Sequence, residues 1–374
     1  MRSPCRFHLP FDFAVAHNSC ISDADTSRNS ADTTRSLRTD ARLCQILRAL
    51  SSNATIVISG TKLAQEIGTR RSEVWRLIQQ LRSLGLEITG HPATGYQLVK
   101  IPDLPLPDVL ASPLSATIFA HQIHHYFRIP STNSEAMHSA ASGAPEGTVF
   151  LAEEQTAGRG RGGHSWTSPA STGIYCSVIL RPTLAPADAI ILSMMAGLAT
   201  AFAVEQVTGI KADLRWPNDL LIGEKKFCGI LTEMNAEVTR VRYAVVGIGV
   251  NVNQPDFPPD LQSIATSLRI ATGSACSRVQ LTAALLQSLD REYAALTSRD
   301  IGEARSDIFR RFEKLSSYAR GKRVHVEEDG GYEGVTAGLD DRGFLLVQTD
   351  AGVRTVLSGG VRPVLTEHAE FGDR

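Results

Sequence analysis

The sequence predicts an α+β protein with three folded parts: a winged helix-turn-helix domain, a central domain on a mixed sheet, and a C-terminal SH3-like β-barrel. Two helix-spaced apolar stripes after Asp40 predict the first part, and apolar strands alternating with long helices predict the second. Short strands separated by Gly/Asp turns predict the third. The expected boundaries are a disordered extension at 1–38, the winged domain at 39–100, a linker at 101–112, the central domain at 113–315 and the C-terminal domain at 316–368.

The bulk composition is that of an ordinary globular protein. The 374 residues are 43% hydrophobic and 21% charged, and the net charge of −1 gives no overall preference for nucleic acid or membrane. No apolar run reaches the roughly 18 residues that a membrane helix needs. The six cysteines lack C-x-x-C or zinc spacing, so we expect a reduced, cytoplasmic protein without a membrane partner. The extension resembles no signal peptide, and both a regulatory tail and an over-long start remain open for it.

Residues 41–100 combine helical periodicity with positive charge. TRRSEVWRLIQQLRSLG places apolar residues at i, i+3, i+4 and i+7, and the preceding SGTKLAQEIG has Ser59 or Thr61 as its N-cap and Gly68 as its stop. LEITGHPATGYQLV alternates around a Pro/Gly turn, as a wing hairpin does. Eight Lys/Arg outnumber three Asp/Glu in this range, which favours DNA over the alternative, a protein-interaction module with a basic face. The candidate DNA-binding residues are Arg70, Arg71, Arg76 and Gln79.

Residues 157–166, AGRGRGGHSW, match the G-x-G-x-x-G pattern of a dinucleotide-binding turn. Such a turn should open a helix, but Pro169 and Gly173 follow this loop and the chain then enters a strand. No acidic residue follows at the distance where a ribose would need it, so a nicotinamide or flavin site is excluded. Glycines that admit close approach, together with two arginines, favour an anionic ligand under a mobile loop; the alternative is a basic surface turn.

Polar residues interrupt the strands and helices around this loop. The trio STN at 131–133 precedes a helix with N-cap residue types, and helix capping alone is the alternative role. The polar loop at 217–219 lies between two short strands, and Lys226 begins the next strand, so their side chains are expected to face one site. RYAVVGIGVNVN is predicted to be a strand bulged at Gly247 and Gly249.

The segment SATIFAHQIHHYF, residues 115–127, is predicted to be helical. Its three histidines have a spacing that suits a metal, but nothing acidic or thiol-bearing completes a ligand set. We therefore expect these histidines on a helix surface or in the core, and the sequence predicts no metal ligands.

The motifs STN, GRGRGGHSW, RWPNDL, KKFCGIL and GIGVNVN occur in this order. Together they resemble the biotin protein ligases, and the preceding helix-turn-helix resembles the bifunctional bacterial form, which also represses biotin synthesis genes. The resemblance covers everything after the N-terminal extension. It implies a biotin/lipoate-ligase fold, similar to class II synthetases, for the central domain and an SH3-like barrel after it.

This resemblance implies two chemical steps. Biotin and ATP give biotinoyl-5′-AMP, and a lysine of the biotin carboxyl carrier protein then takes the biotin. The cofactors implied are ATP and Mg²⁺. The implied biotin-binding residues are Ser131, Thr132, Asn133, Gln155, Gly158, Arg159, Gly160, Arg161 and Lys226. The implied catalytic residues are Arg159, Arg161, Asp219 and Lys226, and the implied ATP-binding residues are Trp166, Asn218 and Asn251.

The resemblance leaves several points open. Asp219 is expected either to orient the acceptor lysine or to help hold Mg²⁺. Arg215 stands where the family usually has lysine, and we expect this arginine to be tolerated. Gly163, His164 and Ser165 make the loop less basic than in the best-known relatives, so we expect weaker retention of the adenylate. Operator DNA and a homodimer formed with bound adenylate are the implied partners. The alternatives are a ligase without regulatory DNA binding, a lipoate or octanoate ligase of the same fold, and a DNA-binding sensor with an inactive ligase domain.

Overall fold

A computed structural model describes most of the chain. The described residues are 42–51, 56–91, 94–100, 103–298 and 300–364. The extension predicted at 1–38 lies outside them.

The N-terminal domain is a winged helix-turn-helix, as predicted. Ser59 caps the second helix by accepting a hydrogen bond from the Lys62 amide at 3.1 Å, and Gly68 follows it with φ 63°. The apolar stripe of the third helix is fully buried in a core that all three helices and the hairpin share. The elements are α1 (42–51), α2 (Gly60–Glu66), α3 (Arg71–Ser83), and an antiparallel hairpin of β1 (Ile88–His91) and β2 (Gly95–Leu98).

The sequence predicts an extended linker at 101–112. This prediction is wrong for the second half of the segment, which is helical. Pro107 begins helix α4 (Pro107–Leu114), where a proline is tolerated because the first-turn N–H has no helical partner. Asp103 accepts a hydrogen bond from the Arg278 amide at 2.5 Å and so caps a helix far along the chain. The segment is therefore attached to the central domain.

The predicted helix at 115–127 is also wrong. The chain makes a short 3-10 turn at Ile118–Ala120 and then strand β3 (Ile123–Tyr126), which lies parallel to β4 (Val149–Ala152). Phe119, Ile123 and Tyr126 have helical spacing, but Phe119 and Tyr126 are buried because a turn and an edge strand direct them inward. Pairing with β4 overrides the local pattern.

The central domain is built on a mixed seven-stranded sheet in the order β3-β4-β5-β9-β8-β7-β6. The strands after β4 are β5 (Gly173–Leu180), β6 (Asp213–Arg215), β7 (Asp219–Ile222), β8 (Lys225–Ala236) and β9 (Val241–Asn251). The helices are α5 (Thr132–Ala141), α6 (Ile190–Thr208), α7 (Leu268–Thr272), α8 (Arg278–Ser298) and α9 (Ile301–Lys314). Helix α5 packs on one face of the sheet, and α6 and α8 pack on the other face with α9 against them, so that two apolar cores lie on opposite sides.

The apolar helix behind the sheet is confirmed as a core helix. The segment Pro186–Thr208 has a mean hydropathy of 1.8, enough by composition to cross a membrane, but 83% of that window is buried inside the protein. A Cβ added at Gly197 of this helix would lie 3.6 Å from the side chain of Leu214 in the sheet.

The C-terminal domain is a five-stranded antiparallel sheet in the order β13-β12-β11-β10-β14. Its strands are β10 (Arg320–Val326), β11 (Tyr332–Leu339), β12 (Leu345–Thr349), β13 (Gly352–Val356) and β14 (Val361–Pro363). Among the described residues, the outer strands β13 and β14 do not pair with each other, so no closed barrel forms. Its apolar face joins the central core, and the Trp216 indole donates a hydrogen bond to Gly343 O at 2.9 Å.

Candidate active site

A pocket opens where the N-terminus of α5 meets strands β5, β8 and β9 beneath the glycine loop. Most of the predicted site residues line it: Ser131, Thr132, Asn133, Gln155, Arg159, Gly160, Arg161, Trp166, Asn218 and Lys226. The structure adds residues that the sequence did not indicate: Tyr175, Cys176, Ser177, Gly229, Ile230, Leu231, Gly247, Ile248 and Gly249. The pocket therefore combines an apolar strand surface with a dense set of hydrogen-bonding groups.

The start of α5 is held by side-chain hydrogen bonds. Ser131 caps the helix, and the amide and hydroxyl of Thr132 both donate to Gln155 Oε1, at 2.9 and 3.1 Å. Gln155 in turn donates to Ser168 Oγ at 2.9 Å. The Ser177 hydroxyl donates to Asn133 Oδ1 at 2.7 Å and lies 2.8 Å from Thr132 Oγ1. These side chains cap and anchor the helix, and all of them except Ser168 also line the pocket.

Glu233 is a site residue that the sequence prediction missed. It is 4% exposed, and it accepts a hydrogen bond from Asn133 Nδ2 at 2.9 Å. Its other oxygen pairs with Arg159 at 2.9 Å. One carboxylate thus ties the glycine loop to the helix start. A single acid inside the apolar strand GILTEM was the available signal, because buried acids are almost always paired.

The predicted bulges at Gly247 and Gly249 are wrong. The pairing of β9 with β5 runs without interruption from Asn251 to Ala244. These glycines instead make room for side chains of the pocket. A Cβ at Gly247 would lie 2.0 Å from Asn133 Oδ1, and one at Gly249 would lie 2.6 Å from Trp166 Nε1. These positions need glycine because they have no room for a side chain, and not because the backbone is irregular there.

Two cations enclose Asp219 beside the pocket. Lys226 Nζ lies 2.5 Å from Asp219 Oδ1, and Arg215 Nη2 lies 2.7 Å from Oδ2. Burial alone would raise the pKa of Asp219, but the charges and hydrogen bonds of Lys226 and Arg215 hold that pKa below its ordinary value. Asp219 is therefore ionised at neutral pH. Lys226 also lies 5.3 Å from the centre of the Trp166 ring, within cation–π range.

Arg161 reaches from the glycine loop to the C-terminal domain. Its Nη2 donates to Ser358 O at 3.0 Å and to Gly359 O at 2.8 Å. Its Nη1 is buried and has no hydrogen-bond partner among the described residues. Burial lowers the pKa of Arg161, and the nearby Asp219 and Glu328 act in the opposite direction. An arginine guanidinium stays charged after such a shift.

Three predicted residues lie outside the lining of the pocket. Gly158 supports the loop, and a Cβ there would lie 2.3 Å from Trp166 O. Asp219 is paired with Lys226, which does line the pocket. Asn251 is buried and donates to Thr266 O at 3.1 Å, which fixes the segment after β9. The structure gives no support to its predicted role in ATP binding.

The predicted DNA-binding residues lie together at the start and on the outer face of α3. Arg70 and Arg71 are exposed, and Gln79 is half-buried. Arg76 is held by Glu73, with Nε–Oε2 and Nη2–Oε1 distances of 2.9 and 2.6 Å. Trp75 is 58% exposed on the same helix. A basic helix face with one exposed aromatic side chain suits a DNA groove.

A buried ionic network lies behind the pocket. Arg278, 3% exposed, donates through Nη1 to Glu153 Oε2 at 2.8 Å and through Nη2 to Asp103 O at 2.7 Å. His125 Nε2 lies 3.1 Å from the other oxygen of Glu153. Burial alone would raise the pKa of Glu153, but Arg278 and His125 lower it. His125 thus belongs to a structural network, and the described residues include no group of three or more His, Cys, Asp or Glu side chains able to hold a metal.

Comparison with family models divides the chain as its fold does. Residues 42–97 match an HTH domain, residues 127–251 match the biotin/lipoate A/B protein ligase family, and residues 320–361 match the biotin protein ligase C-terminal domain.

Known proteins are similar over most of the chain. The bifunctional ligase/repressor BirA of Bacillus subtilis is 34% identical over 321 residues, which is 84% of this chain and 97% of that protein. The BirA of Escherichia coli is 27% identical over 81% of this chain and 92% of that protein. The solved biotin protein ligase of Aquifex aeolicus in complex with biotin and ATP has a TM-score of 0.56 at 28% identity, covering 65% of this chain and all of that one.

Proposed function

Since this chain belongs to the biotin protein ligase family in its bifunctional ligase/repressor form, we propose that its pocket makes biotinoyl-5′-AMP from biotin and ATP. The biotin is then transferred to a lysine of the biotin carboxyl carrier protein. The observation that carries this assignment is the hydrogen-bonded start of α5 beneath a loop with two arginines. A ureido ring needs paired donors and acceptors, and a carboxylate attacking a phosphate needs positive charge.

Biotin binds, in this proposal, with its ureido ring at the start of α5. Thr132, Asn133, Gln155 and Ser177 form the network there. Lipoate lacks the ureido ring, so it presents no donors and acceptors that match this polar network. This supports biotin over lipoate or octanoate as the substrate.

The adenylation step joins two anions, and Arg161 and Lys226 supply the opposing charge. We place the biotin carboxylate and the α-phosphate near Lys226, which Asp219 orients at 2.5 Å. Asp219 is ionised and already paired with two cations, which favours a positioning role over proton transfer. Trp166 would stack on the adenine, and Asn218 would hydrogen-bond it. Arg159, tied to Glu233, would fix the loop over the intermediate.

Magnesium is proposed as part of the MgATP substrate. Protein sites for Mg²⁺ use one or two carboxylates together with substrate phosphates. Both carboxylates at this site are already bound, Asp219 by Lys226 and Arg215 and Glu233 by Arg159 and Asn133. The donor set around the described pocket therefore does not fit a protein-held Mg²⁺, and the metal would enter on the phosphates.

Biotin-dependent exchange between ATP and pyrophosphate tests the enzyme function. Lys226→Ala should lower exchange by at least about 100-fold, as expected when one charge-stabilising group is removed. Lys225→Ala is the matched control, because its Nζ donates to Gln262 O at 2.7 Å on the outside of the strand. Exchange with lipoate or octanoate but not biotin would replace the substrate assignment. A carrier domain should gain the mass of biotin minus water.

The winged domain supports a second function, repression of biotin synthesis genes. We propose that it binds operator DNA through Arg70, Arg71, Arg76 and Gln79 when biotinoyl-AMP occupies the pocket. Removing residues 1–100 should abolish promoter occupancy and leave exchange activity measurable. Unchanged occupancy would leave a ligase without regulatory DNA binding.

A homodimer with bound adenylate is proposed to form along β8. The outer edge of β8 at 231–236 has no strand partner among the described residues, and an unpaired edge can extend a sheet. Sedimentation with and without biotin and ATP measures this, and a monomer under both conditions would contradict it.

We also propose the finer architecture and location that the sequence predicts. The domain boundaries stay at 39–100, 113–315 and 316–368, with the 101–112 connection partly helical. The meander β10 to β13, with β14 returning beside β10, supports an open form of an SH3-like barrel. Scattered cysteines favour a cytoplasmic location.

A further inference from the structure

We propose that the C-terminal domain completes the active site by positioning Arg161, and that Glu328 is the positioning residue that fixes the carbonyl groups holding this arginine. The inference rests on the proposed role of Arg161 in adenylation. It extends the site to residues 357–360, which connect β13 to β14 and are called the carbonyl strap below.

The carbonyl strap holds one arm of the Arg161 guanidinium. Nη2 donates to the carbonyl oxygens of Ser358 and Gly359, at 3.0 and 2.8 Å. Two acceptors on one nitrogen set both the position of that nitrogen and the plane of the planar group. The loop arginine is therefore oriented by a domain that contributes no lining residue to the pocket.

Glu328 fixes the carbonyl strap from the opposite side. Its Oε1 accepts hydrogen bonds from the Ser358 amide at 2.9 Å, the Ser358 hydroxyl at 3.2 Å and the Leu357 amide at 3.2 Å. The strap is also tied by the Glu327 amide, which donates to Gly360 O at 2.9 Å. With its N–H groups bound by a carboxylate, the strap turns its carbonyls toward the glycine loop.

Close packing leaves the strap little freedom to move. A Cβ at Gly359 would lie 2.8 Å from Glu327 O, and one at Gly360 would lie 2.4 Å from a Glu327 carboxylate oxygen. Glycine is needed at Gly359, where the close atom belongs to the backbone, so that the strap can approach the end of β10. The acceptors for Arg161 are thus held on a packed backbone.

The second arm of Arg161 is left for a ligand. Nη1 is buried and has no partner among the described residues, although Arg161 lines the pocket. A buried donor without an acceptor is unfavourable, so this group is suited to an anionic oxygen entering the site. Carboxylate and phosphate oxygens are the acceptors that guanidinium binds best. One arm therefore anchors the side chain, and the other faces the reacting anions.

Glu328→Ala tests this arrangement in the full-length protein. It removes the acceptor of three strap donors, so Arg161 loses its fixed orientation. A displacement of about 1 Å in such a group can cost roughly 100-fold in rate, so we expect kcat/KM for ATP in biotin-dependent exchange to fall by about 10- to 100-fold. Preformed biotinoyl-AMP should also dissociate faster. Glu328→Gln keeps one acceptor oxygen and should recover most of the loss.

A double-mutant cycle separates positioning from general damage. Once Arg161→Ala has removed the side chain, adding Glu328→Ala should change kcat/KM by less than about threefold, because Glu328 acts through Arg161. The control is Glu333→Ala, which removes an exposed pair with Arg323 in the same domain and should leave exchange unchanged. Thermal melting of every variant reports on folding.

Three results would overturn the inference. They are additive losses in the cycle, a Glu328→Gln variant as impaired as Glu328→Ala, and wild-type exchange rates in Glu328→Ala. Absence of exchange in the unaltered protein would instead contradict the proposed function, so the two failures are distinguishable.

Discussion

Replacing Gly247 by alanine would place a methyl group inside the polar floor of the pocket. The added Cβ would lie 2.0 Å from Asn133 Oδ1 and 2.8 Å from its Cγ. Contacts under 3.0 Å do not persist, so one partner must move by about 1 Å. Strand β9 is paired along both edges, with β5 and β8, and cannot retreat. The Asn133 amide is therefore the group that moves.

The displaced amide loses its hydrogen bonds with Ser177 and Glu233. Asn133 accepts from Ser177 at 2.7 Å and donates to the buried carboxylate of Glu233 at 2.9 Å. A neutral hydrogen bond contributes about 1 kcal/mol and one to a charged group about 1.5–3 kcal/mol. If binding must restore this network, the loss of about 2–4 kcal/mol corresponds to a roughly 30- to 1,000-fold weaker affinity for biotin.

Calorimetric titration of biotin in the absence of ATP measures this loss directly. Gly197→Ala is a matched control, since its Cβ would meet Leu214 at an ordinary contact distance of 3.6 Å, away from the pocket. Its biotin affinity should equal that of the wild type. An affinity of Gly247→Ala within about threefold of the wild type would refute the placement of the ureido ring at Asn133.

Three further changes test the ionic groups. Glu153→Gln leaves the buried charge of Arg278 uncompensated and should lower the free energy of unfolding in urea by about 3–5 kcal/mol, whereas Glu153→Gln combined with Arg278→Met should recover much of it. The folded-state pKa of Asp219 lies below its usual 3.8, so its charge stabilises the fold above that pH and the contribution is lost as the pH falls through the lower, folded-state value. The difference in unfolding free energy between wild type and Asp219→Asn should therefore be constant near neutrality and shrink below pH 3.8. Arg71→Ala should reduce the slope of log affinity for operator DNA against log salt by about one, and Arg240→Ala, outside the winged domain, should not.

Elements with a strong local pattern could be predicted from the sequence. Helix α3 has an uninterrupted apolar stripe, and the buried side chains of the structure are the same ones. The loop at 157–166 could be separated from a dinucleotide turn because the residues after it forbid a helix. In both cases the deciding residues are close along the chain.

The wrong predictions share one cause, which is a partner distant along the chain. A glycine in a strand can mark a bulge or a place where another group comes close to the backbone. Only the position of Asn133 shows that Gly247 makes room for a side chain. The proline-rich segment fits a linker, but Asp103 caps a helix that begins at Arg278. The partners of Glu233 are also distant along the chain. Its place in an apolar strand shows that it must be paired, but not with which residues.

Arg215, which stands where the family usually has lysine, makes contacts that use the shape of its guanidinium group. Arg215 approaches Asp219 through both Nε and Nη2, at 3.3 and 2.7 Å, and its guanidinium carbon lies 5.9 Å from the centre of the Tyr318 ring. A lysine could neutralise Asp219, but it has no planar group to stack on that ring while presenting two donors. Tyr318 lies two residues before β10, so Arg215 links Asp219, the partner of Lys226, to the start of the C-terminal domain. Arg161 makes a second link, through hydrogen bonds to Ser358 O and Gly359 O, and the two arginine contacts support the proposal that this domain is part of the catalytic apparatus.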